Sequence, residues 1–81
     1  MKASIEISMY PLDKDYGNHI LAFINELKQH PELEVRTNTM STQVFGEYDI
    51  LMDLMKNEIK TAFTTTNTAI MVLKIVNEDL R

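Results

Sequence analysis

Cysteine is absent from the chain, and that one absence removes disulfides, thiolate catalysis and Cys-based zinc sites together. It also fits a reducing compartment. Glycine is nearly as scarce. Gly17 and Gly46 are the only two, so no glycine-rich loop is present to cradle a phosphate. Eight basic residues stand scattered against twelve acidic ones, for a formal charge of −4. Nucleic-acid binding wants a basic stripe that neutralises phosphates, so it is disfavoured. No apolar run approaches the roughly 18 residues that span a bilayer. The first ten residues alternate apolar and polar, unlike the continuous apolar core of a signal peptide. No membrane partner is expected, and the cytosol is the default location. At 81 residues the chain makes one small domain, residues 1–81. With no covalent staples, it must rely on packing and on a partner subunit.

Hydrophobic periodicity supplies the elements. Ala3, Ile5, Ile7 and Met9 alternate with Ser4, Glu6, Ser8 and Tyr10, the period of a strand with one apolar and one polar face. Pro11 ends it, having no N–H for the ladder. Tyr16, Ile20, Phe23, Ile24 and Leu27 then fall at helical spacing, with Asp13 or Asp15 at hand to cap the start, and His30-Pro31 closes this helix. Leu33–Thr39 and Thr42–Glu47 read as two short strands joined by a hairpin at Met40-Ser41. Tyr48-Asp49 opens a second helix with Leu51, Leu54, Met55, Ile59, Ala62 and Phe63 as its stripe. It frays in Thr64–Asn67, where β-branched residues and Asn disfavour continuation. Met52 lies off that stripe and reads as an oligomer contact. Ala69–Val76 is a last strand, apolar on both faces, with cover expected on both.

The order βαββαβ predicts an α+β, ferredoxin-like sandwich: a four-stranded antiparallel sheet with both helices on one face and the first strand central beside the third. The helices would cover Ile5, Ile7, Met9, Val35 and Val44. The other face would carry Glu6, Ser8, Tyr10, Arg36, Asn38, Gln43, Phe45 and Glu47. Tyr10, Phe45 and one side of the last strand would leave apolar surface open, which predicts sheet-to-sheet packing of two subunits as a homodimer or homotetramer.

Candidate chemistry is sparse. His19 and His30 share a helix face about three turns apart, roughly 16 Å, too far to ligate one metal. Glu6 and Glu47 could approach across neighbouring strands for acid/base work or a divalent ion. The more ordinary expectation is that one pairs with Arg36 or Lys74 and the other faces water. No Ser or Thr has a His or Lys at a telling spacing to activate it. The segment Asn38–Asp49 is the most informative. It gathers small hydroxyl and amide groups where two strands meet, beside one aromatic and one carboxylate, which suits a small polar ring compound. Asn38, Ser41 and Thr42 can equally serve their own turn. Gly46 marks a bulge or a close backbone approach. An RNA-recognition domain would need stacking aromatics in a basic signature on the third strand, where only Phe45 stands. A binding module without catalysis or cofactor is the expectation, with a purely structural or regulatory oligomer as the alternative.

Two motifs carry a resemblance. Ile7-Ser8-Met9-Tyr10-Pro11-Leu12 followed by Asp15-Tyr16 resembles the first-strand signature of the YkoF-like thiamine-binding proteins. The pattern Asn38-x-Met40-Ser41-Thr42-x-Val44-x-Gly46-x-Tyr48-Asp49 resembles their hairpin signature, in the same order and at similar separation. The resemblance runs the length of the chain, which is similar to the single-domain members. It implies a ferredoxin-like fold binding thiamine or its hydroxymethylpyrimidine half between packed sheets, with no catalysis, in homodimers or tetramers. Single-domain relatives often have an acidic residue where Phe45 stands. An aminopyrimidine is flat and edged with donors and acceptors, which hydroxyl, amide and carboxylate groups can match. Under this resemblance Ser8, Asn38, Ser41 and Thr42 are the hydrogen-bonding groups. Tyr10 and Phe45 are the walls, and Glu47 is the partner of a charge or ring nitrogen.

Overall fold

A computed structural model covers residues 1–81. Its elements are β1 (Lys2–Pro11), α1 (Tyr16–Leu27), β2 (Glu34–Thr37), β3 (Thr42–Glu47), α2 (Tyr48–Thr65) and β4 (Ala69–Val76). The sheet is antiparallel throughout in the order β2-β3-β1-β4, so β1 is central beside β3, as the alternation predicts. This is the ferredoxin-like α+β plan. Both helices pack on the face that carries Ile5, Ile7, Met9 and Val44. There Phe23 and Leu27 of α1 meet Leu51, Met55 and Ala62 of α2. Each fully buried Leu, Ile or Met there contributes roughly 1.5–3 kcal/mol.

Helix ends follow local chemistry. α1 stops at Leu27, short of His30-Pro31, because the chain tightens into three-residue turns: Gln29 N–H donates to Glu26 and His30 N–H to Leu27. Asp15 holds the start through Asn18 Nδ2 at 2.8 Å, and Asp13 accepts from the Asp15 amide at 2.8 Å. α2 frays where expected. The Thr64 and Thr65 hydroxyls donate back to the carbonyls of Thr61 and Ala62, and Thr66 is already extended. On α2, Met52 is partly buried against the core, while Phe63, expected on the stripe, is exposed.

The open sheet face departs from expectation at Phe45. β4 is an edge strand whose inner residues Ala69, Met71 and Leu73 pack on the core, while its outer residues Ile70 and Val72 are half exposed, the open side expected of a single subunit. Phe45, expected as exposed wall, is only 3% exposed. The residues after β4 turn back over it. Ser4 Oγ donates to the Glu78 carbonyl at 2.7 Å and accepts from the Leu80 amide at 2.9 Å. The guanidinium groups of Arg36 and Arg81 lie 5.3 and 5.8 Å from the centroid of the Phe45 ring. This C-terminal strap has no periodicity, so the alternation of β3 alone leaves Phe45 bare.

Gly46 is a close approach and not a bulge, since the register runs unbroken through Ala3↔Gly46. A Cβ there would sit 3.3 Å from the Glu32 carbonyl oxygen and 3.5 Å from Leu33 Cδ2. Backbone cannot swing aside as a side chain can. Gly46→Ala is therefore expected to destabilise the fold by about 1–3 kcal/mol in chemical denaturation; a neutral or stabilising result would show that the Glu32 turn gives way freely.

The strap carries its own acid sensitivity. The side-chain hydrogen bond from Arg81, aided by its backbone N–H, holds the Asp79 carboxyl below its ordinary value of 3.8. A lowered carboxyl gives its stabilisation in full above 3.8 and loses it as pH falls through the lowered value. Carboxyl NMR titration should place Asp79 below 3.8, and Arg81→Ala should return it to the ordinary range. An unmoved midpoint in that variant would assign the shift to another group.

Candidate functional site

β1 outlasts its neighbour. The β1–β3 ladder stops at Ile7↔Thr42, whereas β1 continues against β4 to Pro11↔Ala69. Between Ser8–Pro11 and the hairpin loop lies a notch. Main-chain groups of alternate residues on a strand point to one side, so this stretch of β1 presents unpaired donors and acceptors to it. The cause of the early stop is Asn38. Its Oδ1 accepts from the amides of Met40 at 2.8 Å and Ser41 at 3.0 Å, and its own N–H donates to the Ser41 carbonyl at 3.1 Å. The Ser41 main chain faces β2, and the Met40 amide, next in line to meet Met9 of β1, is drawn into the turn instead.

The notch opens into a cavity of about 440 Å³. One side is β1 from Ile7 to Leu12, the second is the loop Asn38–Thr42, and the third is the start of α1 with Tyr16, Ile20, Phe23 and Ile24. Five of the seven residues singled out from the sequence line it: Ser8, Tyr10, Asn38, Ser41 and Thr42. It has an apolar base with a few convergent polar groups. Tyr10 and Tyr16, both more than half exposed, stand at its mouth.

Two residues are not brought there. Phe45 lies beneath the strap and borders a second cavity of about 340 Å³ shared with Ser4, Gln43 and Leu80. Glu47 pairs in register with Lys2 at the far end of β1, and its carboxylate meets the N-terminal ammonium at 3.5 Å. Four residues of strand separate the position opposite Glu47 from Glu6, roughly 13 Å. Those two carboxylates therefore form no acid/base pair. The histidines are likewise tied separately, His19 to Asp13 at 3.0 Å and His30 to Glu58 at 3.5 Å.

Glu6 lines the second cavity, beside Phe45, and its carboxylate reaches across to Ser41 of the notch. Its Oε2 accepts from Ser41 Oγ at 3.1 Å, while Oε1 faces Lys74 Nζ at 3.5 Å. Glu6 pairs with Gln43, so Ser41 is its diagonal neighbour on the open face, a contact that the register determines. Tyr16 was also missed as a lining residue, because its place on the α1 stripe reads as core; only its presence in the first-strand motif marks it out.

No family model and no curated protein sequence matches the chain. Solved structures do. Protein SP2199 from Streptococcus pneumoniae superposes with a TM-score of 0.88 at 27% identity, covering 99% of this chain and 90% of its own. A Thermotoga maritima protein provisionally described as a thiamine biosynthesis/salvage protein gives 0.86 at 18% identity, over 96% and 85% of the two chains. A domain of unknown function, DUF77, from Bacillus cereus gives 0.79 at 20% identity, over 99% and 79%. The shared feature is the fold.

Phe45→Leu separates the two cavities. It should cost about 1 kcal/mol of stability in denaturant melts and leave the affinity of any ligand of the notch unchanged. A tenfold loss of affinity would return Phe45 to the site.

Proposed function

We propose that the chain is a non-catalytic binding protein for thiamine or its hydroxymethylpyrimidine half, which sits in the notch between β1 and the β2–β3 hairpin. The observation that carries this reading is the cavity itself. It joins the hydroxyl groups of Ser8, Ser41 and Thr42 and the Asn38 amide with tyrosine rings at the mouth and an apolar base, in a volume that suits a single small ring compound. The two sequence motifs meet there in space, since Ser8, Tyr10 and Tyr16 come from one and Asn38, Ser41 and Thr42 from the other. The likeness in fold to the Thermotoga maritima protein supports the same direction. Tyr10, Ile70 and Val72, each about half exposed, form an apolar strip on the open face beside the mouth. In this reading a second subunit covers that strip and closes the ligand in.

Calorimetric titration of the purified protein with thiamine, and separately with hydroxymethylpyrimidine, tests it. Micromolar or tighter binding is expected, about one ligand per subunit or per sheet pair. Replacing both Ser8 and Ser41 by Ala should weaken binding about tenfold, the loss of two hydrogen bonds worth about 0.5–1.5 kcal/mol each, without moving the melting temperature more than a few degrees. The exposed strip also favours a second reading, a structural or regulatory homo-oligomer whose open face is only an interface. A stable dimer or tetramer with no heat from either compound would select that alternative.

A further inference from the structure

Two polar groups of the notch, Asn38 and Ser41, have already committed part of their hydrogen-bonding capacity inside the protein. Asn38 Oδ1 takes two backbone amides. A flipped amide would set NH₂ against those N–H groups, so the orientation is determined. What Asn38 can offer a ligand is its Nδ2, a donor. Ser41 is committed in the opposite sense. Its hydroxyl hydrogen goes to Glu6 Oε2, so its oxygen has only lone pairs left to offer. Glu6 is held toward Ser41 by its other oxygen, which faces Lys74.

We propose that Glu6, acting through Ser41, sets the hydrogen-bond polarity of the notch, so that it selects a ring edge with an amino group beside a bare ring nitrogen. The amino hydrogen meets Ser41 Oγ, and the ring nitrogen accepts from Asn38 Nδ2. A ring whose edge offers two acceptors is rejected, because its second lone pair faces that of Ser41. Glu6 touches no ligand in this scheme and is a positioning residue. The proposal rests on the notch being the pyrimidine site, and it adds the group that determines which pyrimidines fit.

Glu6→Gln tests it, because the nearly isosteric amide reverses the polarity. The Gln carbonyl oxygen is claimed by Lys74, which leaves its NH₂ to donate to Ser41 Oγ and frees the Ser41 hydrogen for the ligand. The probes are hydroxymethylpyrimidine and its analogue with methoxy in place of the amino group, titrated into both proteins. Wild type should prefer the amino compound by at least tenfold. Glu6→Gln should narrow that ratio several-fold, chiefly by gaining affinity for the methoxy ring. The same substitution in a Ser41→Ala background should leave the ratio unmoved, since the relay is gone. Wild type that binds the amino ring, with an unchanged ratio in Glu6→Gln, overturns this inference alone. Wild type that binds neither ring removes the inference and the proposed function together.

Discussion

The unequal length of two neighbouring strands is the constraint on which the candidate site depends. β1 has ten residues and β3 has six, and they are aligned at the end where Lys2 meets Glu47. All of the mismatch therefore falls at the other end, where Ser8–Pro11 has β4 on one side and no strand on the other. A sheet that ended evenly there would have no notch. Asn38 keeps it uneven by drawing the Met40 amide, the next that would face β1, into the turn. A single side chain thus ends a ladder and lines a cavity, and its turn chemistry and its candidate binding role are one arrangement.

That double role bears on how small polar residues in hairpins are weighed. Asn38 makes the turn that its residue type predicts, yet its Oδ1 is satisfied only because the amide is locked, and a locked amide presents a known face. Ser41 is similar. Its hydrogen bond to Glu6 is an ordinary cross-strand contact on an antiparallel sheet. It also turns a group that could donate or accept into one that only accepts. Structural bonds of this kind reduce what a site can recognise, and specificity follows from that reduction.

Much of this was legible from residue order. Alternation in Ala3–Tyr10, helical spacing from Tyr16 and again from Leu51, and the proline at 31 convey βαββαβ, because each is a local signal with one strong interpretation. Five notch residues were legible too, since two motifs close to a strand end and a hairpin must meet if β1 and β3 are neighbours. Phe45 was not. Its parity correctly puts it on the open face, but the strap that covers it is held by Ser4, across most of the chain, and by Arg81 over the ring, long-range contacts that leave no periodic trace. Glu47 failed for a different reason. It lies on the expected face, and only the register, which a sequence does not display, shows that it stands at the wrong end of β1. Glu6 and Ser41 become neighbours through that same register.

The strap also explains why the open face is divided. Over the half that holds Ser4, Phe45 and Val76, the chain supplies its own cover, so that half needs no partner to keep apolar surface from water. Over the half that holds Tyr10, Ile70 and Val72 it supplies none, and β4 is an unprotected edge with Lys74 as its one charge. Covering the whole face from within would have sealed the mouth of the notch, because Tyr10 belongs to both. Leaving the whole face bare would have exposed Phe45 as well and enlarged the apolar surface a monomer must keep in water. The division confines the exposed apolar surface to the end of the sheet where the ladder is broken, so a subunit packed on that strip would meet the cavity mouth and not the strap. The apolar strip and the cavity mouth thus share one residue, Tyr10, and the fold leaves that residue uncovered.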